Sequence, residues 1–225
     1  MALALDAFAA TAPKTGEDQC GDVARVVRAD SMLVGVLADG IGSGFRANVI
    51  ATLTVRMLTT MLQSGERVRE AVADLLAALP VSAERGIGYA AFTALRVTPA
   101  GRLTLVEVGT PHSVLLHHDH AAELKPDEWR VGDVSVRSTE TTLRAGDTVV
   151  AFSDGLSNAG IGHGLDLGLR RENIVSYLEQ ACRPGVTAER LTRLLLRVGV
   201  TLYQGRPGDD LAVLTLRAGR HRAAR

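Results

Sequence analysis

Aspartates stand where apolar runs of this chain begin and end. Asp39 closes "LVGVLAD" and is followed by Gly40, and Asp154 follows "TVVAFS" and precedes Gly155. Asp209 and Asp210 come just before "LAVLTL", and Asp22 sits in "CGD", just before "VARVV". In an antiparallel sheet the end of one strand lies beside the start of its neighbour. Asp39 and Asp154 at strand ends can therefore share one edge with Asp22 and Asp209 at strand starts. Carboxylates collected in one place repel one another unless they take up protons or bind cations. An all-oxygen set without a Cys or His partner suits hard divalent ions, Mg2+ or Mn2+. The glycine after each of Asp39 and Asp154 lets the backbone turn sharply and expose a carbonyl to the same ion. A single Asp-Gly after a strand is an ordinary turn. Two of them, with an Asp-Asp at a third strand boundary, point to a site.

Other chemistries fit less well. "GIGSGF" (Gly40–Phe45) follows a strand and opens a helix, as a dinucleotide fingerprint does, but its third glycine comes one residue early and Asp39 would face the pyrophosphate. No G-x-x-x-x-G-K-[ST] occurs, and Ser153 lies in "FSDGL" rather than in a G-x-S-x-G elbow. His117, His118 and His120 in "LLHHDHAAEL" read as a polar hairpin turn before they read as metal ligands.

The elements that must position the aspartates are legible as periodicities. "MLVGVLA" (Met32–Ala38) is a continuous apolar run of the kind found in a buried strand. "YAAFTALRV" (Tyr89–Val97), "LTLVEV" (Leu103–Val108), "HSVLLH" (His112–His117), "DTVVAF" (Asp147–Phe152) and "LAVLTL" (Leu211–Leu216) are further strands, and "TPAG" is hairpin punctuation. Ile50, Leu53, Met57 and Met61 recur at helical spacing, as do Val68, Val72, Leu75, Leu76 and Leu79, a stripe ended by Pro80. Ile174 and Leu178 mark a third helix, and Leu191, Leu194, Leu195, Val198 and Leu202 a fourth, capped by Thr187. The polar segment Glu123–Arg144 reads as an irregular excursion. Strict βαβ alternation is absent, so the pattern predicts layered α+β: two stacked, mainly antiparallel sheets with a helix pair outside each, burying all four stripes.

Hydrophobic residues make up 46% of 225, enough for one domain with a substantial core. A single domain is expected over 1–217, with a basic tail at 218–225. Lys plus Arg equals Asp plus Glu at 25 each, so net charge argues for neither a nucleic-acid nor a membrane partner. Cys20 and Cys182 make no disulfide framework and match no zinc spacing, which predicts a reduced, cytoplasmic protein. "MALALDAFAATAPK" lacks a basic start and is interrupted by Asp6, so a strand is expected there rather than a signal peptide.

"CGD" (Cys20–Asp22), "LADGIGSG" (Leu37–Gly44), "FSDGL" (Phe152–Leu156) and "GDDLAVLTL" (Gly208–Leu216) occur in an order that resembles the metal-dependent PPM (type 2C) serine/threonine phosphatases. Within that family the set looks most like the stage II sporulation protein E branch, and the compact chain is similar to its single-domain feedback phosphatases of bacterial stressosomes. The resemblance implies a four-layer αββα sandwich with two metal ions, Mn2+ or Mg2+, at one edge. It implies that Asp39 bridges the ions with the Gly40 carbonyl on one of them, that Asp154 and Asp209 hold the first ion, and that Asp22 serves the second. Relatives outside the branch use an acidic pair near Asp22, for which Glu17 and Asp18 are present, so Asp18 is the rival ligand. The phosphate-contacting arginine of some animal relatives has no clear counterpart; Lys14 and Arg25 are the candidates.

Two ions about 3.5–4 Å apart can share and orient a water for in-line attack on phosphorus. The expected activity is hydrolysis of phosphoserine and phosphothreonine in proteins, and the resemblance implies STAS-domain regulators of a partner-switching pathway as substrates. Two alternatives keep the fold: a non-catalytic module that binds a phosphoprotein or scaffolds a complex, and a hydrolase of small phosphate esters.

Overall fold

The computed structural model describes residues 2–29, 32–78 and 90–220. In chain order the first elements are strands β1 (Leu3–Ala12), β2 (Val23–Ala29) and β3 (Met32–Asp39), then helices α1 (Gly44–Gln63) and α2 (Val68–Ala78). Strands β4 (Ala91–Val97), β5 (Arg102–Val108), β6 (Val114–His117), β7 (His120–Ala122), β8 (Asp127–Val131), β9 (Val134–Thr142) and β10 (Thr148–Phe152) follow. The one-turn α3 (Asp154–Ser157), α4 (Arg170–Ala181), α5 (Ala188–Leu202) and β11 (Leu211–Arg220) complete the order. One sheet runs β1-β11-β10-β6-β7 and the other β2-β3-β4-β5-β9-β8. Every strand pairing in them is antiparallel.

Side-chain alternation explains why the central strands carry unbroken apolar runs. In β3, Val34, Val36 and Ala38 pack with Ala51, Val55, Leu58, Val72 and Leu75 of α1 and α2. Leu33 and Leu37, on the other face, meet Leu214 and Leu216 of β11 between the sheets. In β11, Leu211 and Val213 turn instead toward Leu191 and Leu195 of α5. Both faces of these strands are thus covered, and burying each large aliphatic side chain contributes about 1.5–3 kcal/mol. Gly35 faces the interior, where Leu214 and Leu95 leave no room for a larger residue. This is the expected αββα sandwich.

Several details differ from the sequence reading. The segment Glu123–Arg144 is not irregular: it holds β8 and β9, which extend one sheet to its edge. Their outer faces are polar, and in β9 only Val136 and Thr139 are buried, so the apolar period is too sparse to see. The core face of α1 is formed by Ala47, Ala51, Thr54, Val55, Leu58 and Leu62 rather than by the larger residues; Ile50, Met57 and Met61 are partly buried, and Leu53 is exposed. The small residues let the helix lie close on β3. His117 and His120 face each other in the β6–β7 hairpin, as the turn reading expects. Thr187 caps α5, its hydroxyl accepting from the Arg190 amide at 3.2 Å. Strand β11 takes in Ala218, Gly219 and Arg220, which the sequence assigns to the tail. The expectations for Leu79, Pro80, Tyr89 and residues 221–225 lie outside the described residues. Among the described residues no helix is long and apolar enough to cross a membrane.

Candidate functional site

Register brings the aspartates together. In one sheet Val23 pairs with Ala38, so Asp22 and Asp39 lie one residue beyond, at the same end. In the other sheet Phe152 pairs with Val213, the Ser153 amide donates to the Ala212 carbonyl at 3.0 Å, and the Ala212 amide donates to Ser153 Oγ at 2.9 Å. This holds Asp154 beside Asp209 and Asp210. Stacking the sheets then places both pairs at one edge of the sandwich.

The charges feel one another. Asp22 is pushed from 3.8 up to about 7, first by burial and then by Asp210, Asp209 and Asp154; the Ser153 hydroxyl opposes the shift. Asp39 is pushed up to about 9 by burial, by Asp22 and Asp154, and by a carboxyl–carboxyl hydrogen bond with Asp154. Asp209 is raised by burial and Asp154, with the Lys14 charge pulling the other way. The structure therefore gathers the four aspartates singled out in the sequence, Asp22, Asp39, Asp154 and Asp209, and adds Asp210. Asp22 and Asp210 are buried, Asp39 and Asp209 half-buried, and Asp154 exposed.

Two of these carboxyls each keep one oxygen without a partner. Asp210 Oδ1 accepts from the Lys14 amide at 2.9 Å, but Oδ2 has no hydrogen bond, and Asp22 Oδ2 is likewise unpartnered. A buried carboxylate oxygen without a donor is costly. Gly40 is pressed against the Ala47 and Gly21 carbonyls, and Gly155 against the Asp210 carbonyl, so a side chain at either position would collide with backbone. The two glycines are what allow these turns to sit so close to the carboxylates.

Divalent cations fit this donor set. The side chains offer oxygen alone, since the nearby Cys20 thiol is pushed up to about 12 by burial, Asp22 and Asp210 and stays protonated. A hard cation would supply what the two orphaned oxygens and the raised carboxylates lack. Among the described residues no three Asp, Glu, His or Cys side chains stand close enough together to hold a metal ion as they are placed, so the carboxylates would have to draw in around one. The carboxylates stand in mutual electrostatic range, and burial with the charges of Asp22 and Asp154 favours a proton on Asp39.

The remaining candidates divide clearly. Asp18 is exposed and is not among the charges acting on the cluster, and Glu17 accepts the Ser43 hydroxyl at 3.0 Å, tying its loop to the start of α1. Lys14 reaches the cluster through its charge. Arg25 instead lines a groove with Ala7, Phe8 and Val26 on the β1–β2 side. His117 bonds Asp147 at 3.0 Å, ahead of the start of β10 and so at the opposite end from Asp154. A cavity of about 510 Å3 at that far end is lined by Leu5, His118, Cys182 and Arg217, away from the aspartates.

Three contributors have no role assigned from the sequence. Asp210 was visible beside Asp209, but nothing marked it as the buried member of the pair. Ser153, considered and rejected as a nucleophile, is fully buried and braces Asp22 and Ala212. Tyr203, with no sequence signal at all, donates its hydroxyl to the Gly155 carbonyl at 3.3 Å; burial, Asp209 and Asp154 push that hydroxyl up to about 12.

The family model for stage II sporulation protein E (SpoIIE) matches residues 29–219, a span that holds Asp39, Asp154 and Asp209 and starts after Asp22. No curated protein sequence matches the chain. Among solved structures, the chain is similar to the PP2C phosphatase domain with a regulatory fragment of SpoIIE from Bacillus subtilis, at TM-score 0.79 and 20% identity over 99% of this chain and 64% of that one. It is similar to the RsbU and RsbW domains of a Mycobacterium tuberculosis protein, at TM-score 0.77 and 18% identity over 97% of this chain and 63% of that one. It is also similar to RsbX in complex with magnesium, at TM-score 0.68 and 18% identity over 96% of each chain. This chain thus spans about two thirds of the first two structures and nearly all of the third. At these identities the likeness carries the fold.

Proposed function

Because the chain belongs to the stage II sporulation protein E (SpoIIE) family and has the PP2C-type phosphatase fold, we propose that it is a metal-dependent phosphoprotein phosphatase that hydrolyses phosphoserine and phosphothreonine. The observation that carries this reading is the surplus of carboxylate at one edge: five aspartates from two sheets, two of them buried with an unpartnered oxygen.

Asp22, Asp39, Asp154, Asp209 and the Gly40 carbonyl would hold two divalent ions, Mn2+ or Mg2+. A cation bound there supplies charge neutralisation for the phosphoryl group and activation of a water nucleophile. The chain's own residues do the positioning. Ser153 fixes Asp22 relative to β11, and Tyr203 fixes the Gly155 turn on which Asp154 rides. Burial and the charges of Asp22 and Asp154 favour a proton on Asp39, and a bound cation would favour its carboxylate instead. Lys14 offsets part of the negative charge at Asp209. Asp22 is preferred to Asp18 because it is the one buried among the other carboxylates.

The protein substrate, we infer, is a phosphorylated STAS-domain regulator of a cytoplasmic partner-switching pathway. Likeness to the RsbU–RsbW domains and to RsbX supports that class. Calorimetry with Mn2+ tests the site: two binding events are expected, together with Mn2+-dependent hydrolysis of p-nitrophenyl phosphate. Asp39→Asn should remove both while the circular dichroism spectrum stays unchanged. One event or none, without hydrolysis, would point to the non-catalytic binding module.

A further inference from the structure

Large hydrophobic side chains that are exposed among the described residues number six, and their positions are not scattered. They are Phe45, Val49 and Leu53, and Ile161, Leu165 and Leu167. The first three follow the Asp39–Gly40 turn, and the second three follow the Asp154–Gly155 turn. Phe45 and Leu167 are the most open, at 68% and 69%. Single exposed hydrophobics are normal on a protein surface, whereas a concentration of them marks a contact.

Both segments are anchored at the aspartate edge. Phe45, Val49 and Leu53 recur every four residues and form one stripe of α1, on the side turned away from its buried Ala47, Ala51 and Val55. The stripe starts where the Ala47 carbonyl rests on Gly40, and Asn48 Nδ2 donates to the Cys20 carbonyl at 2.8 Å. On the other side, the loop after α3 is held by the His163 ring, edge-on to Tyr203 at 5.9 Å, while Tyr203 donates to the Gly155 carbonyl. Leu165 folds back over Gly160 in the same loop. One apolar group therefore leaves the Asp39 side of the edge and the other leaves the Asp154 side.

We propose that these six side chains form an apolar rim that docks the folded phosphoprotein substrate, gripping apolar surface around its phosphorylated serine or threonine. The proposal rests on the phosphatase reading above. The edge between the two groups is strongly acidic, and Lys14 is the cation whose charge bears on it. The cations held there would draw the phosphoryl group of any ester alike, so what singles out a folded phosphoprotein is contact with the rim. A partner seated on both groups at once also lies across the aspartates. A phosphoprotein turns that placement into turnover, whereas a second copy of this chain would block its own site. Small esters are too short to reach the rim, so docking separates protein substrates from them.

The test compares two substrates, a serine-phosphorylated STAS domain and p-nitrophenyl phosphate, with Mn2+ present. The pair Phe45→Ser/Leu53→Ser and the pair Ile161→Ser/Leu167→Ser should each lower kcat/KM for the phosphoprotein by about tenfold or more through KM. Hydrolysis of p-nitrophenyl phosphate should stay within about twofold. Phe45→Leu with Leu53→Met should restore phosphoprotein turnover. Unchanged phosphoprotein kinetics in both pairs overturns the proposal, as does an equal loss on both substrates, which would indicate a structural role. A parent chain that does not favour the phosphoprotein over the small ester in kcat/KM overturns it too. A parent dimer that the substitutions dissociate, seen by sedimentation, overturns it in favour of a second copy. If the parent chain fails to hydrolyse p-nitrophenyl phosphate at all, the phosphatase reading falls and the docking proposal goes with it.

Discussion

Asp22 and Asp147 are buried to almost the same degree, 3% and 2% exposed, and the fold treats them in opposite ways. Asp147 stands just ahead of β10, where His117 Nδ1 bonds its Oδ1 at 3.0 Å and the Arg144 amide donates to its Oδ2 at 2.7 Å. Asp22 stands near the far end of the same strand, with Ser153 for support, three other aspartates pressing on it, and Oδ2 unpartnered. The chain can therefore satisfy a buried carboxylate with ordinary donors. At the opposite edge it leaves the need unmet, which is what a cation site requires when the cation is to be its main counter-charge.

The sharpest way to break this contrast is through activity. Asp154→Asn should lower Mn2+-dependent hydrolysis of p-nitrophenyl phosphate by roughly a thousandfold, the scale of losing a group that stabilises transition-state charge. Full activity in that variant would place the reaction elsewhere. At the paired end the effect should fall on stability instead. Asp147→Ala strips a donor pair of its acceptor and should destabilise the chain by about 2–3 kcal/mol in urea titration, with kcat little changed. A larger loss of activity than of stability there would erase the distinction between the two ends.

The pH profile sharpens the contrast further. Asp22 and Asp39 are raised from 3.8 to about 7 and about 9 in the folded chain. Over that window the folded state holds more protons than the unfolded one, so stability falls as pH rises. With EDTA present, the melting temperature should drop between about pH 5 and pH 9, and saturating Mn2+ should flatten or reverse the slope. A flat profile in EDTA would mean the aspartates do not crowd one another in solution. The smallest effect belongs to Asp22→Asn, which removes a buried, poorly compensated charge. It should stabilise the metal-free chain by about 1 kcal/mol while weakening Mn2+ binding in calorimetry.

What the sequence disclosed follows from which interactions are local. Asp39 and Asp154 were legible because each follows a strand buried on both faces and precedes a glycine that backbone crowding requires. Asp22 was harder: its place depends on the β2–β3 register, which a run of mixed Val, Ala and Arg states weakly. The burial of Asp210, rather than Asp209, is decided by contact with Lys14 and Gly21, far away in the chain. The role of Tyr203 comes from the packing of α5 against a turn nearly fifty residues earlier. Strands β8 and β9 were hidden because an edge with one polar face needs few apolar residues. The orientation of α1 was misjudged because hydrophobicity points to Leu53, whereas close approach to β3 selects alanines.

The longest strand pairing joins β1 to β11, from Leu3 opposite Arg220 to Ala12 opposite Leu211. Nine steps along that ladder separate its open end from the aspartate edge, a span of roughly 30 Å. A fluorophore attached at Arg220 itself would therefore sit well clear of a molecule arriving at the aspartates.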